Sequence, residues 1–237
     1  MNKKAFTALI VAILLPLTGY LLVSYYSGRA VQMPHRYFYD SVNVSQKNGK
    51  FSYDTAWHHV ENLHFTNQLG QQVSLNDLKG KIIVLDFFFT HCPTICPKLA
   101  VAMKKLQSSF PNNDSIVQFV SISIDPEHDS LAQLRKWANK FNINPDSWWL
   151  GTGNKERTYK FALSELKASV ADADVDTAFI HTENFFLLDK ERVVRGWFNG
   201  LDSVAQSRLV RDIPLLMLEK DQKSTFKDFM KGLFKAG

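Results

Sequence analysis

The sequence predicts an α/β domain in which a mixed β-sheet is flanked by helices, preceded by an N-terminal hairpin and an N-terminal transmembrane anchor. Three observations support this: short apolar runs typical of buried strands, apolar stripes at helical spacing between them, and a long uncharged stretch near the start. The 237 residues are 45% hydrophobic and 13% aromatic, which excludes a disordered chain. The 28 basic and 23 acidic residues leave a net charge of +5, too small to indicate nucleic-acid binding.

The predicted anchor is residues 5–26, which carry no charge. A helix of that length rises about 33 Å, enough to cross the hydrocarbon core of a bilayer. Lys3 and Lys4 precede it, so residues 1–4 are expected in the cytoplasm and the rest outside. A cleaved signal peptide is the alternative, but no small-residue cleavage site follows the apolar stretch. We therefore expect a bacterial inner-membrane protein with its domain in the periplasm, since no mitochondrial presequence precedes the anchor.

Residues 27–60 are polar and are predicted to form a stalk, with a turn at residues 46–50. The main domain is predicted over residues 61–218. It opens with a hairpin, because Leu63 and Phe65 alternate with polar residues and Gly70 can turn the chain.

Four core strands are predicted at residues 82–89, 116–124, 185–188 and 193–198. Each is an almost continuous apolar run with aromatic and β-branched residues, as expected for a strand that is buried on both faces. These four strands are expected to form one sheet.

Four apolar stripes predict helices, and the packing of a core accounts for all of them. The last stripe contains Pro214, which is predicted to kink or interrupt its helix. The order is strand–helix–strand–helix–helix–strand–strand–helix, which places helices on both faces of the sheet. The stripes are Leu99, Met103, Leu106, Phe110; Leu131, Leu134, Trp137, Ala138, Phe141; Tyr159, Ala162, Leu163, Leu166; and Leu209, Ile213, Leu216.

The two cysteines of the chain, Cys92 and Cys96, lie at a strand-to-helix turn. A count of two excludes a disulfide-stapled scaffold and any multi-cysteine metal cluster. Pro97 predicts that regular helix begins at that residue, with Cys96 near the cap and Cys92 in the turn before it. The unpaired N–H groups and the dipole at a helix N-terminus favour thiolate over thiol.

Several chemistries use such a pair. A reversible disulfide needs two close sulfurs, one of low pKa. Copper(I) prefers soft thiolates, and an imidazole would complete its shell. Zinc would need two further ligands. A static disulfide would close a very small loop and add little stability, so it is the least favoured.

The motif T-H-C-P-x-x-C-P after an aromatic strand resembles the Sco/SenC copper-chaperone family, whose fold is thioredoxin-like. Three further segments extend the resemblance: residues 76–81, residues 123–130 (S-I-D-P-E-H-D-S) and residues 149–153 (W-L-G-T-G). The resemblance covers about residues 60–217.

The resemblance implies a membrane-tethered protein that binds copper through two thiols and one histidine and helps assemble the copper centre of cytochrome c oxidase. The implied ligands are Cys92, Cys96 and His181, the last because Ile180-His181-Thr182 precedes a predicted strand that ends in Asp189. The implied metal is Cu(I), with Cu(II) left open. The implied partners are the copper-bearing oxidase subunit, other copper chaperones or thiol reductases, and the inner membrane.

Two positions depart from the family pattern. Thr94 and Ile180 stand where the family usually has aspartate. Neither change removes a donor atom, but both remove a carboxylate that could orient a ligand or tune affinity. Asp174 and Asp176 lie nearby in sequence and could compensate.

Of the seven histidines, only His181 is supported by both placement and motif. His91 adjoins Cys92 and is expected to point away from its sulfur, while His128 occupies a commonly basic position of the family. His58, His59 and His64 are expected on a solvated hairpin. The chain also has no proline between Pro145 and Pro214, so it lacks the cis-proline of ordinary thioredoxin-type oxidoreductases; this favours a metal-binding derivative.

The sequence therefore supports a copper metallochaperone, with a thiol–disulfide oxidoreductase that keeps the oxidase cysteines reduced as the alternative. Whether the chain is an enzyme stays open. A peroxidase is disfavoured because no arginine adjoins the cysteine motif.

Residues 219–237 are predicted to be an amphipathic extension, with apolar residues and lysines interleaved. Its helix is expected either to pack on the domain or to lie on anionic lipid.

Overall fold

The computed structural model describes residues 4, 12–23, 32–47, 49–111, 115–168 and 183–219. The chain divides into two compact units, Met1–Met33 and Pro34–Gly237. In the first unit, residues 12–23 are helical. No helix among the described residues has both the length and the apolar character that crossing a membrane requires. The anchor at residues 5–26 stays a prediction.

The second unit contains a mixed seven-stranded sheet, which confirms the predicted fold class. Its strands are β3 His64–Asn67, β4 Gln72–Ser74, β5 Ile82–Phe88, β6 Val117–Ser123, β7 Trp148–Thr152, β8 Asn184–Leu188 and β9 Val194–Asn199. Three central parallel strands, β5, β6 and β7, are flanked by antiparallel β8 and β9 on one side and by β3 and β4 on the other.

Helices cover both faces of this sheet. Alternate residues of β5 contribute to two buried clusters, Ile82 and Val84 to one, Ile83 and Leu85 to the other. The first cluster includes apolar residues of α1, α2 and α4, and the second those of the 3₁₀ helix and the π-helical turn. The bounds are 3₁₀ helix Leu75–Leu78, α1 Ile95–Ser109, α2 Leu131–Lys140, α3 Lys155–Lys160, π-helical turn Phe161–Glu165 and α4 Ser203–Leu218.

Strand β7 was not among the predicted strands. It is short, and its Gly151 weakens the apolar pattern that predicts a buried strand. The glycine is needed by packing, because a Cβ there would clash with the Phe65 ring and lie 2.8 Å from Ile122 Cδ1. The strand is also held by tertiary contact, since Trp148 Nε1 donates to Ser121 Oγ over 2.9 Å.

The helix start predicted at Pro97 was wrong, and the interruption that was one of the two outcomes predicted at Pro214 is absent. Helix α1 begins at Ile95 rather than at Pro97, which occupies its first turn. The N–H groups of a first turn have no intrahelical acceptor, so proline is tolerated there. Helix α4 continues through Pro214 without interruption, because Leu209, Ile213 and Leu216 on its inner face are all buried.

The predicted stalk contains a second hairpin. Strands β1 (Tyr39–Lys47) and β2 (Lys50–Trp57) pair antiparallel as a sheet of their own, around the turn predicted at residues 46–50. The turn was predicted from the sequence, whereas its two strands were not. The hairpin's base is fastened to β9, because the Phe38 ring stacks on Trp197 at 6.2 Å and Tyr37 N–H donates to Val194 O over 2.8 Å.

Candidate metal and thiol site

The two cysteines lie together at the carboxyl end of the central strand β5. Cys92 is in the turn that follows β5, and Cys96 is the second residue of α1. Both are free thiols, and only 5% and 3% of their surfaces are exposed. The Cys96 backbone N–H donates to Cys92 Sγ over 3.3 Å. The helix start thus points its first N–H groups at one sulfur of the pair.

The Cys92 thiol is poised to ionise. Burial acts to raise its pKa, but the backbone N–H groups of Cys96, Thr94 and Ile95 and the Cys96 thiol outweigh that effect, and the pKa of Cys92 is lowered. These donors stabilise the negative sulfur, as the helix N-terminus predicts. Cys92 is therefore the better nucleophile of the two.

The Cys96 thiol behaves in the opposite way. Burial raises the pKa of Cys96, and the neighbouring Cys92 and Asp86 raise it further, although a hydrogen bond from Phe89 backbone opposes them. The pair therefore ionises in sequence, with Cys92 first. One sulfur is available to attack or bind while the other keeps its proton.

Asp86 is a buried carboxyl group within β5, beneath this pair, and the sequence analysis did not select it. Burial raises the pKa of Asp86 to about 7, although a hydrogen bond from Ser121 opposes the rise. Its Oδ1 has no hydrogen-bond partner among the described residues. The signal that could have identified it was a lone carboxylate inside an otherwise apolar strand.

Asp129 holds the turn that carries Cys92. Its carboxylate is fully buried, accepts from the Thr90 N–H over 3.0 Å and from the Thr90 hydroxyl, and also accepts from Ser123 Oγ at the end of β6. The segment at residues 123–130 was recognised only by resemblance. The structure gives its second aspartate a physical task, which is to tie the thiol turn to the neighbouring strand.

A second carboxylate of the same segment, that of Asp125, contacts two histidines. Asp125 Oδ2 lies 2.8 Å from His128 Nδ1 and 3.4 Å from His91 Nε2, and the two imidazole rings are 5.2 Å apart. Asp125 is buried while both histidines are exposed. His91, which precedes Cys92 in the sequence, thus faces Asp125.

The other described histidines of the N-terminal region do not share one site. His58 lies between two carboxylates, His59 contacts a backbone carbonyl, and His64 contacts Asn62 over 2.9 Å. Within the described ranges, no group of three histidine, cysteine or carboxylate side chains is arranged to hold a metal ion. These contacts agree with structural roles for the three histidines.

The predicted third ligand, His181, lies outside the described residues, as do Ile180, Asp174 and Asp176. The chain is described again from Glu183, and β8 runs antiparallel to β5 with Phe186 opposite Leu85. This register puts the start of β8 at the sheet edge where β5 ends. Glu183, two residues after His181 in the sequence, is fixed there because its carbonyl accepts from Gly200 N–H over 2.7 Å.

A central strand that leads through a buried dithiol into a helix, within a mixed sheet covered on both faces, defines a thioredoxin-like dithiol domain. The comparison with known proteins is more specific. The sequence model of the family described as SCO1/SenC matches residues 53–217, and the chain belongs to this family.

Individual relatives agree with the family match. The SCO1 protein homolog of Bacillus subtilis is 34% identical over 161 residues, 68% of this chain and 83% of that protein. The solved structure of BsSco, described as a Sco-family cytochrome c oxidase assembly protein with a disulfide switch, is 33% identical with a TM-score of 0.59, covering 69% of this chain and 96% of that one. A protein of Stutzerimonas stutzeri described as copper-binding is 28% identical over 58% of this chain and 67% of its own length.

Proposed function

We propose that this protein is a copper metallochaperone that delivers copper to cytochrome c oxidase while the copper centre of the oxidase is assembled. The observation that carries the proposal is the pair of free, buried thiols at the start of α1, one of them with a lowered pKa. In the proposal Cys92, Cys96 and His181 bind the metal as cargo. Two soft sulfurs and one imidazole suit Cu(I) better than the hard, oxygen-preferring cations.

The comparisons support the same reading at a coarser level. The chain belongs to the SCO1/SenC family, the BsSco protein is described as an oxidase assembly protein, and the Stutzerimonas protein is described as copper-binding. The proposed acceptor is the copper-bearing subunit of the oxidase. Other copper chaperones or thiol reductases are proposed to load or reduce this site.

Copper release fits the unequal thiols. A ligand exchange that frees one sulfur at a time lets an acceptor thiol enter the shell before the metal leaves. Cys96 regains a proton readily because its pKa is raised, and so it favours release.

The ligand set is tested by anaerobic Cu(I) titration of the reduced chain against a competing chelator, with X-ray absorption on the loaded protein. The expected result is one copper bound by two sulfurs and one nitrogen. His181→Ala should weaken binding by at least the ~10–100-fold that loss of a residue supporting a metal ligand costs, since a direct ligand is removed. His64→Ala is the matched control, since the side chain of that exposed histidine has Asn62 as its hydrogen-bond partner among the described residues. Unchanged affinity in His181→Ala would remove this residue from the site.

A second function, reduction of the oxidase cysteines, is favoured by one observation, the opposite pKa shifts of the two thiols. In this reaction the Cys92 thiolate attacks a partner disulfide and releases one partner thiolate. Cys96 then loses its proton and attacks the mixed disulfide, which frees the second partner thiol and leaves Cys92 joined to Cys96. Two electrons pass to the partner, and a thiol reductase must restore the dithiol.

The two functions separate in cells that lack the protein. His181→Ala keeps both thiols, so it should restore oxidase activity if the protein acts only as a reductase. It should fail to do so if copper transfer is the required step. Cys92→Ser should fail in either case and serves as the negative control.

We also propose that the domain faces the periplasm of a bacterium and is tethered to the inner membrane by residues 5–26. The uncharged stretch behind Lys3 and Lys4 supports this orientation. Protease added to spheroplasts should digest the domain, whereas protection from the protease would contradict the proposal.

A further inference from the structure

The β1–β2 hairpin has one apolar and one polar face. Side chains alternate between faces along a strand, and residues directly opposite each other share a face. Val44 is paired with Tyr53. Two residues away along the strands, Val42 is paired with Thr55 on one side and Gln46 with Phe51 on the other. The intervening pairs are polar or small: Ser41 with Ala56, Asn43 with Asp54 and Ser45 with Ser52.

The apolar face is open to solvent. The exposed fractions are 41% for Val42, 57% for Val44, 61% for Phe51 and 68% for Tyr53. The term hairpin face denotes these four residues, Val42, Val44, Phe51 and Tyr53. Single exposed apolar residues are ordinary, but four on one face of one small sheet mark a contact surface.

The hairpin face has no cover within the described chain. Strands β1 and β2 pair only with each other, and an isolated two-stranded hairpin is marginally stable in water. Its base, in contrast, is held firmly. His58 Nδ1 lies 2.7 Å from Asp40 at the start of β1, and His58 Nε2 lies 2.9 Å from Glu165 at the end of the π-helical turn. The base is fixed and the rest projects, as expected of an element that contacts something outside the domain.

Most of the hairpin also lies outside the family match. The match begins at residue 53, after β1, the turn and the start of β2.

The position of the hairpin in the chain indicates what covers it. Residues 27–38 are all that separate the predicted anchor from β1, and twelve extended residues span at most about 40 Å. The hairpin is thus tethered close to the bilayer in which the anchor is predicted to lie. Its face combines valine with tyrosine and phenylalanine, and tyrosine is enriched at the membrane–water interface.

We propose that the hairpin face lies on the lipid surface of the membrane and so docks the domain there, as a second contact beside the predicted anchor. The covered residues are Val42, Val44, Phe51 and Tyr53, and the polar face remains in water. The proposal is independent of copper binding. It gives the domain a preferred orientation on the membrane instead of a freely swinging one.

The test measures membrane depth at two neighbouring positions on opposite faces. Val44→Cys and Asn43→Cys are each made in the full chain with Cys92→Ser and Cys96→Ser, so that a nitroxide label attaches at one position only. Each chain is reconstituted into liposomes of phosphatidylcholine and phosphatidylglycerol. Electron paramagnetic resonance then compares label collisions with oxygen, which concentrates in lipid, and with a water-soluble nickel chelate. Circular dichroism checks that both variants fold alike.

The expected result is that the label at position 44 collides mainly with oxygen and the label at position 43 mainly with nickel. Adding Val42→Asp and Tyr53→Asp to the chain labelled at position 44 should shift its collisions toward nickel. The proposal rests on the proposed anchor, and failure of the chain to float with the liposomes would contradict that anchor. For a chain that floats, two outcomes overturn the hairpin contact: equal nickel access at both positions, or a label-to-label distance that places two copies face to face. The last would assign the hairpin face to a second copy of this chain.

Discussion

The buried carboxyl group of Asp86 permits a quantitative prediction. Asp86→Asn keeps the size of the side chain but removes its ionisation. In the folded protein, burial raises the pKa of Asp86 from 3.8 to about 7, so the folded state holds a proton that the unfolded state has lost. Ionised Asp86 is therefore a destabilising group at neutral and alkaline pH.

The magnitude follows from the size of this change. Between the unfolded and the folded pKa, the folded state binds more protons, and the free energy of unfolding falls as pH rises. A rise from 3.8 to about 7, at 1.36 kcal/mol for each pH unit, amounts to about 4 kcal/mol. This loss begins above about pH 4 and is complete above about pH 7. Asp86→Asn has no ionisable group at this position and should not show this loss. The free energy of unfolding of the variant should therefore rise relative to that of the wild type across this pH range.

Urea unfolding of the reduced chain, followed by tryptophan fluorescence at about pH 5 and about pH 8, measures the effect. The difference in unfolding free energy between Asp86→Asn and wild type should grow toward about 4 kcal/mol with rising pH. Asp146→Asn, a change at an exposed carboxylate, is the matched control. A difference that is constant with pH would refute the assignment of the raised pKa to Asp86, whatever its absolute size.

Three further outcomes are expected. Iodoacetamide should alkylate Cys92 before Cys96, and at lower pH, as shown by peptide mass spectrometry; equal rates would contradict the opposite pKa shifts. Asp129→Ala should lower the free energy of unfolding by about 3 kcal/mol, since buried donors lose their acceptor at about 1–3 kcal/mol each; unchanged urea stability would show that the turn is held by other contacts. Gly151→Ala should cost about 1–3 kcal/mol through overpacking against Phe65, and a neutral result in the same assay would mean that β7 can shift to make room.

Strands were predicted correctly where the apolar residues form a long, regular pattern. Strands β5, β6, β8 and β9 were predicted because their apolar runs are long enough to be read locally. Strand β7 was not, because a five-residue strand interrupted by Gly151 carries too little pattern of its own. The prolines were also misjudged. Whether Pro97 or Pro214 breaks a helix depends on its place in the turn and on the packing around it, and the residue type alone does not settle this.

The residues of the candidate site likewise divide into those that local sequence features predict and those that only distant contacts reveal. Cys92 and Cys96 could be selected from spacing and from their position after a buried strand, because those features are local. His181, selected by resemblance, stays a prediction since it lies outside the described residues. Asp86 and the hydrogen bonds that Asp129 accepts from Thr90 and Ser123 were not predicted, since these roles depend on atoms from strands that are distant in sequence.

By itself, the sequence determined the chemistry available to this protein: two thiols at a helix start, the buried strands β5, β6, β8 and β9, and an uncharged stretch before the domain. Those properties depend on residue type and on short-range spacing, which a linear reading preserves. Tertiary structure decided which thiol has the lowered pKa, which carboxyl group is buried and has its pKa raised, and which face of the β1–β2 hairpin is apolar and open. Ionisation and exposure depend on the neighbours that folding brings within a few ångströms, and these come from all parts of the chain.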